Sequence, residues 1–279
     1  MPTVASTDAV RVAVHDLGGD GPTILYSHAT GLHGLLWRPL ARQLPGYHGI
    51  APDYRGHGDA TAPASGSYDW LGFRDDAMAV IDSLGDTGPL LGVGHSMGGA
   101  VLVMTELARP GTFRALALYE PIVFPPGLGA DVGSSPIVEG ARRRRPEFPS
   151  REAARANFSS KPPLEVLDPE VLTIYVEEGF EDTPDGTVRL KCEPATEALT
   201  FQGSIGHDIH TRLGEVRCPV LVMAAPAEEG TPAAYARGVA EHLPHGELHR
   251  FDHLGHFGPL EDPAAVAAVI GRFFTAQGA

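Results

Sequence analysis

The segment from Pro89 to Ala108 reads P-L-L-G-V-G-H-S-M-G-G-A-V-L-V-M-T-E-L-A, and it decides the fold. A short apolar run from Leu90 to Val93 meets the sequence G-H-S-M-G, and an apolar segment with helical spacing follows at once. The pattern predicts a strand, a one-residue turn and a helix. Such a turn forces the backbone of Ser96 into a cramped conformation, and glycines on either side let neighbouring segments approach it closely. The Ser96 hydroxyl is therefore expected above the edge of a sheet.

This G-x-S-x-G turn resembles the nucleophile elbow of α/β-hydrolases, in which the serine attacks the substrate. Three further segments resemble that family in the same order along the chain. His28-Ala29-Thr30 follows a buried strand, as the H-G-x segment of the family does. The segment Asp53 to Gly58 resembles the D-x-R-G-x-G turn, and Gly255-His256-Phe257 resembles the G-H-F pattern after the last strand.

The resemblance implies the α/β-hydrolase fold, an α/β architecture with a mostly parallel sheet of about eight strands flanked by helices. Residues 1–121 and 218–279 are expected to form the core, because strand and helix patterns alternate there. Between residues 122 and 217 the composition shifts to proline, glycine and charge, with helical patches near Ser150–Asn157 and Pro169–Gly179. In the family, the insertion after the sixth strand is a helical lid that governs which substrates enter.

Composition limits the possible partners. With 279 residues, 43% of them hydrophobic, the chain is long enough for one domain with an insertion. Its formal net charge of −14 argues against a nucleic acid partner, because a phosphate-binding surface needs clustered Lys and Arg. The N-terminus lacks a signal-like apolar segment, and no apolar run reaches the ~18 residues that span a membrane. Cys192 and Cys218 fit neither a disulfide framework nor a metal site. We expect a cytoplasmic protein that needs no membrane, metal or cofactor.

A serine hydroxyl needs a neighbouring base, because it is a poor nucleophile at neutral pH. The imidazole of histidine suits this role, since its ordinary pKa is near 6.5. In the chain order of the family, serine, acid, histidine, the base lies on the loop after the last strand. The resemblance therefore implies His256 as the base. His253 is the nearby alternative, and it fits the G-H-F pattern less well.

The resemblance leaves two candidates for the acid of the triad. Most family members carry it after the seventh strand as G-x-x-D, and the segment Ala225 to Glu228 keeps this spacing without the glycine and with glutamate for aspartate. A minority, including the haloalkane dehalogenases, carry a glutamate at the end of the sixth strand. This chain has Leu118-Tyr119-Glu120-Pro121 there. We favour Glu120, and Glu228 takes the role if Glu120 is only a buried structural carboxylate.

The resemblance also implies an oxyanion hole built from two backbone N–H groups. One belongs to Thr30, two residues after the histidine of the H-G-x segment, where Ala29 replaces the usual glycine. The other belongs to Met97, which follows the nucleophile at the positive end of its helix. Asp53 and Arg55 are expected to be structural, because in the family they tie loops together near the site.

Two other features have both a structural and a functional interpretation. The basic run Arg142 to Arg145 is interpreted as a solvated face of the insertion in preference to an anion-binding patch. Seven aromatic residues either line an apolar pocket or pack the core, and packing is favoured for each. They are Trp70, Phe124, Phe148, Phe158, Tyr175, Phe180 and Phe201.

The expected activity is cofactor-independent hydrolysis of a carboxylic ester, thioester or lactone through an acyl-enzyme, with a small acyl compound as the substrate. A serine at the elbow argues against epoxide hydrolase and dehalogenase chemistry, which uses a carboxylate nucleophile. Acyl transfer or carbon–carbon bond hydrolysis on the same triad stays open. So does a receptor of this fold that binds a small molecule and turns over almost nothing.

Overall fold

The structure is a computed structural model that describes residues 2–127, 135–205 and 207–278. Within these ranges the strands are β1 (Thr3–Ala5), β2 (Arg11–Gly18), β3 (Thr23–Ser27), β4 (His48–Asp53), β5 (Leu90–His95), β6 (Phe113–Tyr119), β7 (Glu147–Phe148), β8 (Phe180–Asp182), β9 (Val188–Leu190), β10 (Val220–Ala224) and β11 (Gly246–Arg250). The helices are α1 (Arg38–Ala41), α2 (Trp70–Ser83), α3 (Met97–Ala108), α4 (Pro136–Arg142), α5 (Arg151–Phe158), α6 (Pro169–Glu178), α7 (Pro194–Gln202), α8 (Ile209–Arg212), α9 (Ala236–His242), α10 (Gly258–Glu261) and α11 (Pro263–Ala276). Short 3₁₀ turns cover Gly34–Trp37, Leu164–Val166, Leu213–Glu215 and Pro232–Ala234.

Eight strands form one sheet in the order β1-β2-β4-β3-β5-β6-β10-β11. The β1–β2 and β2–β4 pairs are antiparallel, and the other five pairs are parallel. The central strands are apolar on successive residues because helices cover both faces of the sheet. Helices α2, α3 and α9 pack on one face, and α1 and α11 pack on the other. The predicted mostly parallel sheet of about eight strands, flanked by helices, is confirmed.

Residues 122–217 lie between β6 and β10, and we call this segment the insertion. Its described part holds α4 to α8, and α5 and α6 agree with the predicted helical patches to within one residue. It also holds a small antiparallel sheet in the order β7-β9-β8, which the expectation of a helical lid did not include. Strands of two or three residues are too short to show an apolar alternation in the sequence.

The insertion packs its own apolar cluster onto the core. Phe148, Phe158 and Tyr175 belong to this cluster, and so do Leu32 and Leu260 of the core. The segment His28 to Thr30 therefore lies beneath the insertion, because Ala29 belongs to the same cluster.

Asp53 and Arg55 are held entirely by protein partners. Asp53 accepts hydrogen bonds from the N–H groups of Gly34 (2.6 Å) and Asp59 (2.9 Å) and from His15 Nε2 (2.9 Å). Burial alone would raise the pKa of Asp53, but the contacts with His15 hold it well below its usual range. These contacts agree with the structural role expected for the turn.

Arg55 makes a buried ion pair with Asp76 of α2. Its Nε and Nη2 atoms each donate to a carboxylate oxygen at 2.8 Å, and both side chains are almost fully buried. The pair ties the loop after β4 to the helix before β5.

Over the described ranges, no helix is both long and apolar enough to cross a bilayer. Cys192 and Cys218 are both free and buried. A cytoplasmic location stays a prediction.

The buried ion pair yields a stability prediction with a matched control on the same helix. Asp76→Ala leaves the Arg55 guanidinium buried without its counter-charge, so we expect the free energy of unfolding to fall by about 3–5 kcal/mol. Asp82→Ala removes the exposed partner of Arg109 and is expected to cost about 0–1 kcal/mol. Urea unfolding followed by circular dichroism measures both. Equal losses in the two variants would contradict the structural role of the buried pair.

Candidate active site

Ser96 lies at a strained turn between β5 and α3. Its backbone has a φ of 54° and a ψ of −117°, a region that non-glycine residues rarely adopt. The surrounding chain fixes this conformation: the Ser96 N–H donates to the carbonyl of Tyr119 at 3.0 Å, and the Ser96 carbonyl accepts from Gly99 at 3.1 Å and Ile122 at 3.2 Å. The strained conformation is therefore held from both sides by backbone hydrogen bonds.

Two glycines make room for the turn. A Cβ atom on Gly98 would lie 2.1 Å from the carbonyl oxygen of Ser27 at the end of β3. A Cβ atom on Gly94 would lie 2.7 Å from the Cα of Gly99. Larger side chains at either position would push α3 away from the sheet and displace Ser96.

His256 and Glu120 form a close hydrogen-bonded pair. His256 Nδ1 donates to Glu120 Oε2 at 2.6 Å, and the second carboxylate oxygen accepts from the N–H of Ala225 at 2.9 Å. Glu120 is 1% exposed. With the proton on Nδ1, the lone pair of His256 Nε2 is the basic site of the ring. The arrangement matches the acid–base pair that the sequence suggested.

Three further side chains hold the loop that carries His256, and the sequence reasoning did not identify them. His95 Nε2 donates to the carbonyl of His256 at 2.7 Å, and burial holds the pKa of His95 well below its usual range. The Tyr119 hydroxyl donates to the carbonyl of Gly255 at 2.7 Å, and Glu261 accepts from the Gly255 N–H at 2.8 Å. For His95 and Tyr119, the sequence signal that could have identified them is their position directly before Ser96 and Glu120.

Ser96 and His256 line the same cavity. In the described part of the chain, no hydrogen bond of 3.5 Å or less joins the Ser96 hydroxyl to the His256 ring. Nucleophile–base pairs are often looser than this before substrate binds. The structure thus brings the two side chains to one cavity without a direct bond between them.

The alternative residues lie elsewhere. Glu228 is exposed, and its carboxylate has no hydrogen-bond or ion-pair partner among the described residues. His253 is also exposed, and it is not part of the cavity wall. Of the four candidates, the geometry joins only His256 and Glu120.

The two residues expected to supply the oxyanion hole contact each other through their side chains. Thr30 Oγ1 donates to the sulfur of Met97 at 3.5 Å, and Thr30 lines the cavity. Met97 is the first residue of α3, so its N–H has no acceptor within the helix. In the ranges that the structure describes, neither N–H group donates to a protein acceptor. Neither donor is therefore taken by another protein group within those ranges.

His28 fixes the segment that carries Thr30. Its Nδ1 donates to the carbonyl of Ala29 at 2.8 Å, and its Nε2 accepts from the N–H of Tyr54 at 3.0 Å. Burial lowers the pKa of His28 to about 3, so the ring is neutral at pH 7 and keeps this tautomer. His28 is thus a structural residue with both nitrogens satisfied.

The cavity has a volume of about 1020 Å³, which suits a substantial organic ligand. Core and insertion both contribute to its wall. Packing, the favoured interpretation, holds for Trp70, Phe148, Phe158 and Tyr175, which belong to buried apolar clusters. Six of the seven aromatic residues singled out above nevertheless line the cavity. They are Trp70, Phe124, Phe148, Phe158, Tyr175 and Phe201. Phe180 packs within the insertion.

One group of three potential metal ligands occurs among the described residues. Atoms of His15, Asp53 and Asp59 lie within 4.8 Å of one another. The oxygens of Asp53 already accept hydrogen bonds from His15, Gly34 and Asp59, and none of the three ligands lines the cavity. The group is explained by the architecture of the turn.

Comparison with known proteins agrees with this geometry. The sequence profile of the alpha/beta hydrolase family matches residues 24–269. The chain belongs to that family. It is 32% identical to the lipase LipV of Mycobacterium tuberculosis over 94% of this chain and 97% of the relative. It is 26% identical to the non-heme chloroperoxidase CPO-A1 of Kitasatospora aureofaciens, over 92% of each chain.

Among solved structures, the crystal structure of E-2-(acetamidomethylene)succinate hydrolase superposes with a TM-score of 0.81 at 21% identity, covering 98% of this chain and 99% of that one. At this identity the likeness concerns the fold. Together with the relatives, it makes this chain a hydrolase of the alpha/beta type.

Glu120 and Glu228 allow a direct test of which carboxylate supports the histidine. Glu120→Gln removes the negative charge beside His256 and disturbs its tautomer, so we expect kcat for ester hydrolysis to fall about 1,000-fold or more. Glu228→Gln is the matched control and is expected to change kcat less than about twofold. Steady-state kinetics on a p-nitrophenyl ester, with unfolding midpoints to verify folding, measures both. A larger loss in the Glu228 variant would contradict the assignment.

Proposed function

We propose that this hydrolase cleaves a carboxylic ester, thioester or lactone through an acyl-enzyme, without a cofactor. One observation carries the proposal: the hydrogen bond of 2.6 Å between His256 Nδ1 and Glu120 Oε2, beside a cavity that Ser96 also lines. A histidine oriented by a buried carboxylate next to a serine at a strained turn is the arrangement that activates a hydroxyl for attack on a carbonyl.

In the first half-reaction, Ser96 Oγ attacks the carbonyl carbon while His256 Nε2 accepts the hydroxyl proton. The Glu120 carboxylate stabilises the imidazolium that forms. When the carbon–oxygen or carbon–sulfur bond of the tetrahedral intermediate breaks, His256 returns the proton to the leaving alcohol or thiol. The acyl group then remains on Ser96 as an ester.

The N–H groups of Thr30 and Met97 stabilise the oxyanion of the tetrahedral intermediate. The Met97 donor also benefits from the positive end of α3. Loss of one such donor typically costs about 3 kcal/mol of transition-state stabilisation. The contact between the Thr30 and Met97 side chains holds the two residues next to each other.

In the second half-reaction, a water molecule gives a proton to His256 Nε2 and attacks the acyl carbon. His256 then protonates Ser96 Oγ as the acid product leaves, which restores the enzyme. The insertion supplies part of the cavity wall and acts as a lid over the reacting groups. The lid therefore selects the small-molecule substrate.

Covalent labelling tests the nucleophile. A fluorophosphonate probe is expected to modify Ser96, because the hydroxyl is activated by His256, and peptide mapping locates the adduct. Ser96→Ala is expected to lose labelling and at least about 1,000-fold of p-nitrophenyl ester turnover. Ser204→Ala is the matched control, since Ser204 lines the same cavity and is not part of the His256–Glu120 hydrogen bond. An adduct on any other residue would overturn the assignment.

Two further measurements separate hydrolysis from its alternatives. An added alcohol that captures the acyl group faster than water would indicate an acyltransferase. Stoichiometric ligand binding with negligible turnover across a panel of esters and thioesters would indicate a receptor. The proposal expects multiple turnovers with free acid as the product.

A further inference from the structure

The basic run Arg142 to Arg145 divides into two pairs with different surroundings. Arg142 donates to Glu139 Oε1, and Arg143 Nε donates to the Glu139 carbonyl at 3.1 Å, both on the exposed side of α4. Arg144 and Arg145 instead line the cavity that holds Ser96. The solvated-face interpretation thus accounts for the first two arginines, whereas Arg145 is exposed and lines the cavity as well.

Over the described ranges, cations outnumber carboxylates on the cavity wall, whereas the chain as a whole is acidic. Arg144, Arg145 and Lys161 line the cavity, and among the described residues Glu197 is the only carboxylate that does. The chain as a whole has a formal net charge of −14. Cations gathered at a cavity in an acidic protein attract anions to that cavity.

Arg144 is a preorganised guanidinium. It donates to the carboxylate of Glu197 and, at 2.5 Å, to the hydroxyl of Tyr175. Burial alone would lower the pKa of Arg144, but the contacts with Tyr175 and Glu197 keep it above the usual range. Only two of its five N–H groups are used by these partners. Fixed orientation with unused donors suits recognition of a planar anion.

Arg145 and Lys161 have no carboxylate partner among the residues described. Arg145 lies over the ring of Phe148 at 4.5 Å, and its Nε donates to the carbonyl of Glu147 at 2.7 Å. Lys161 Nζ donates to the side-chain oxygen of Asn157 at 2.8 Å. Neither contact neutralises the cation.

The two arginines are linked through a pair of aromatic rings. Phe148 and Phe158 have centroids 5.5 Å apart, and the Arg144 guanidinium lies 6.0 Å from the Phe158 ring. The cations are thus set on an apolar wall within the same cavity. A ligand that fits this wall combines an apolar body with one anionic end.

We propose that Arg144, Arg145 and Lys161 form an anion-binding subsite for a carboxylate carried by the substrate. The proposal rests on the ester hydrolysis proposed above and names its substrate class: esters or thioesters of an apolar acid that bears a second, free carboxylate. The planar fork of a guanidinium matches a carboxylate with two parallel hydrogen bonds. The apolar cavity accommodates the chain between the two carbonyl carbons.

The test compares two esters that differ in one charge. Mono-p-nitrophenyl suberate carries a free carboxylate, and p-nitrophenyl nonanoate has an apolar end at the same position. We define the selectivity as the ratio of kcat/KM for the first ester to that for the second, measured at low ionic strength. For the wild type we expect a selectivity of at least about tenfold, since a charge-assisted hydrogen bond is stronger than a neutral one.

The variant Arg145→Gln/Lys161→Gln is expected to lower the selectivity about tenfold, because it removes the two unpaired cations. Arg144→Gln/Glu197→Gln removes both members of an ion pair, so no uncompensated charge remains. This variant is expected to lower the selectivity as well. Arg142→Gln/Arg143→Gln is the control from the same run and is expected to keep the wild-type selectivity. The ratio within each variant cancels differences in folded fraction.

The outcomes separate this proposal from the proposed function. If neither ester is turned over, ester hydrolysis fails and the subsite fails with it. If both are turned over with a selectivity near one that the Arg145 and Lys161 substitutions do not change, hydrolysis stands and the subsite is overturned. Competition by octanoate and octyl phosphate distinguishes the anions, and stronger inhibition by the phosphate would overturn the choice of carboxylate.

Discussion

The register between β5 and β6 is the constraint on which the candidate site depends. His95 pairs with Tyr119, so the residues that follow, Ser96 and Glu120, leave the two strands side by side. Ser96 has a φ of 54° and Glu120 a φ of 42°, because the chain turns sharply out of the sheet after each of the two strands. The N–H of Glu120 donates to the carbonyl of Met223 in β10 at 2.8 Å. Backbone pairing within the sheet thus fixes where Ser96 and Glu120 lie relative to each other.

The sequence was sufficient for features that depend on local pattern. Apolar runs and their spacing predicted the strands of the core, and the residue types around Ser96 predicted its turn. The choice between Glu120 and Glu228 was harder, because both follow buried strands and both are glutamates. The pairing of distant strands decides which carboxylate lies beside His256. The periodicity of a single segment carries no information about that pairing. The Ala225 N–H, 105 residues from Glu120, completes the arrangement.

The insertion shows the same limit more strongly. Its strands are only two or three residues long, so they are determined by pairing between β7, β8 and β9 and not by local preference. Four consecutive arginines look alike in the sequence. They separate in the structure because α4 ends at Arg142, after which the chain turns toward the cavity. Packing determines on which side of a turn each side chain lies, and composition does not predict it.

In the proposed mechanism, the residues assigned to substrate selection lie beside those assigned to transition-state stabilisation. A Cβ atom on Gly31 would lie 2.7 Å from Glu197 Oε1 and 3.4 Å from Arg144 Nη1, so the insertion rests directly on the residue beside Thr30. Gly31 also has a φ of 76°, which a larger residue adopts only under strain. The Arg144–Glu197 pair therefore lies against the backbone next to Thr30, the proposed oxyanion donor. The proposed carboxylate subsite and the proposed oxyanion hole thus meet at Gly31.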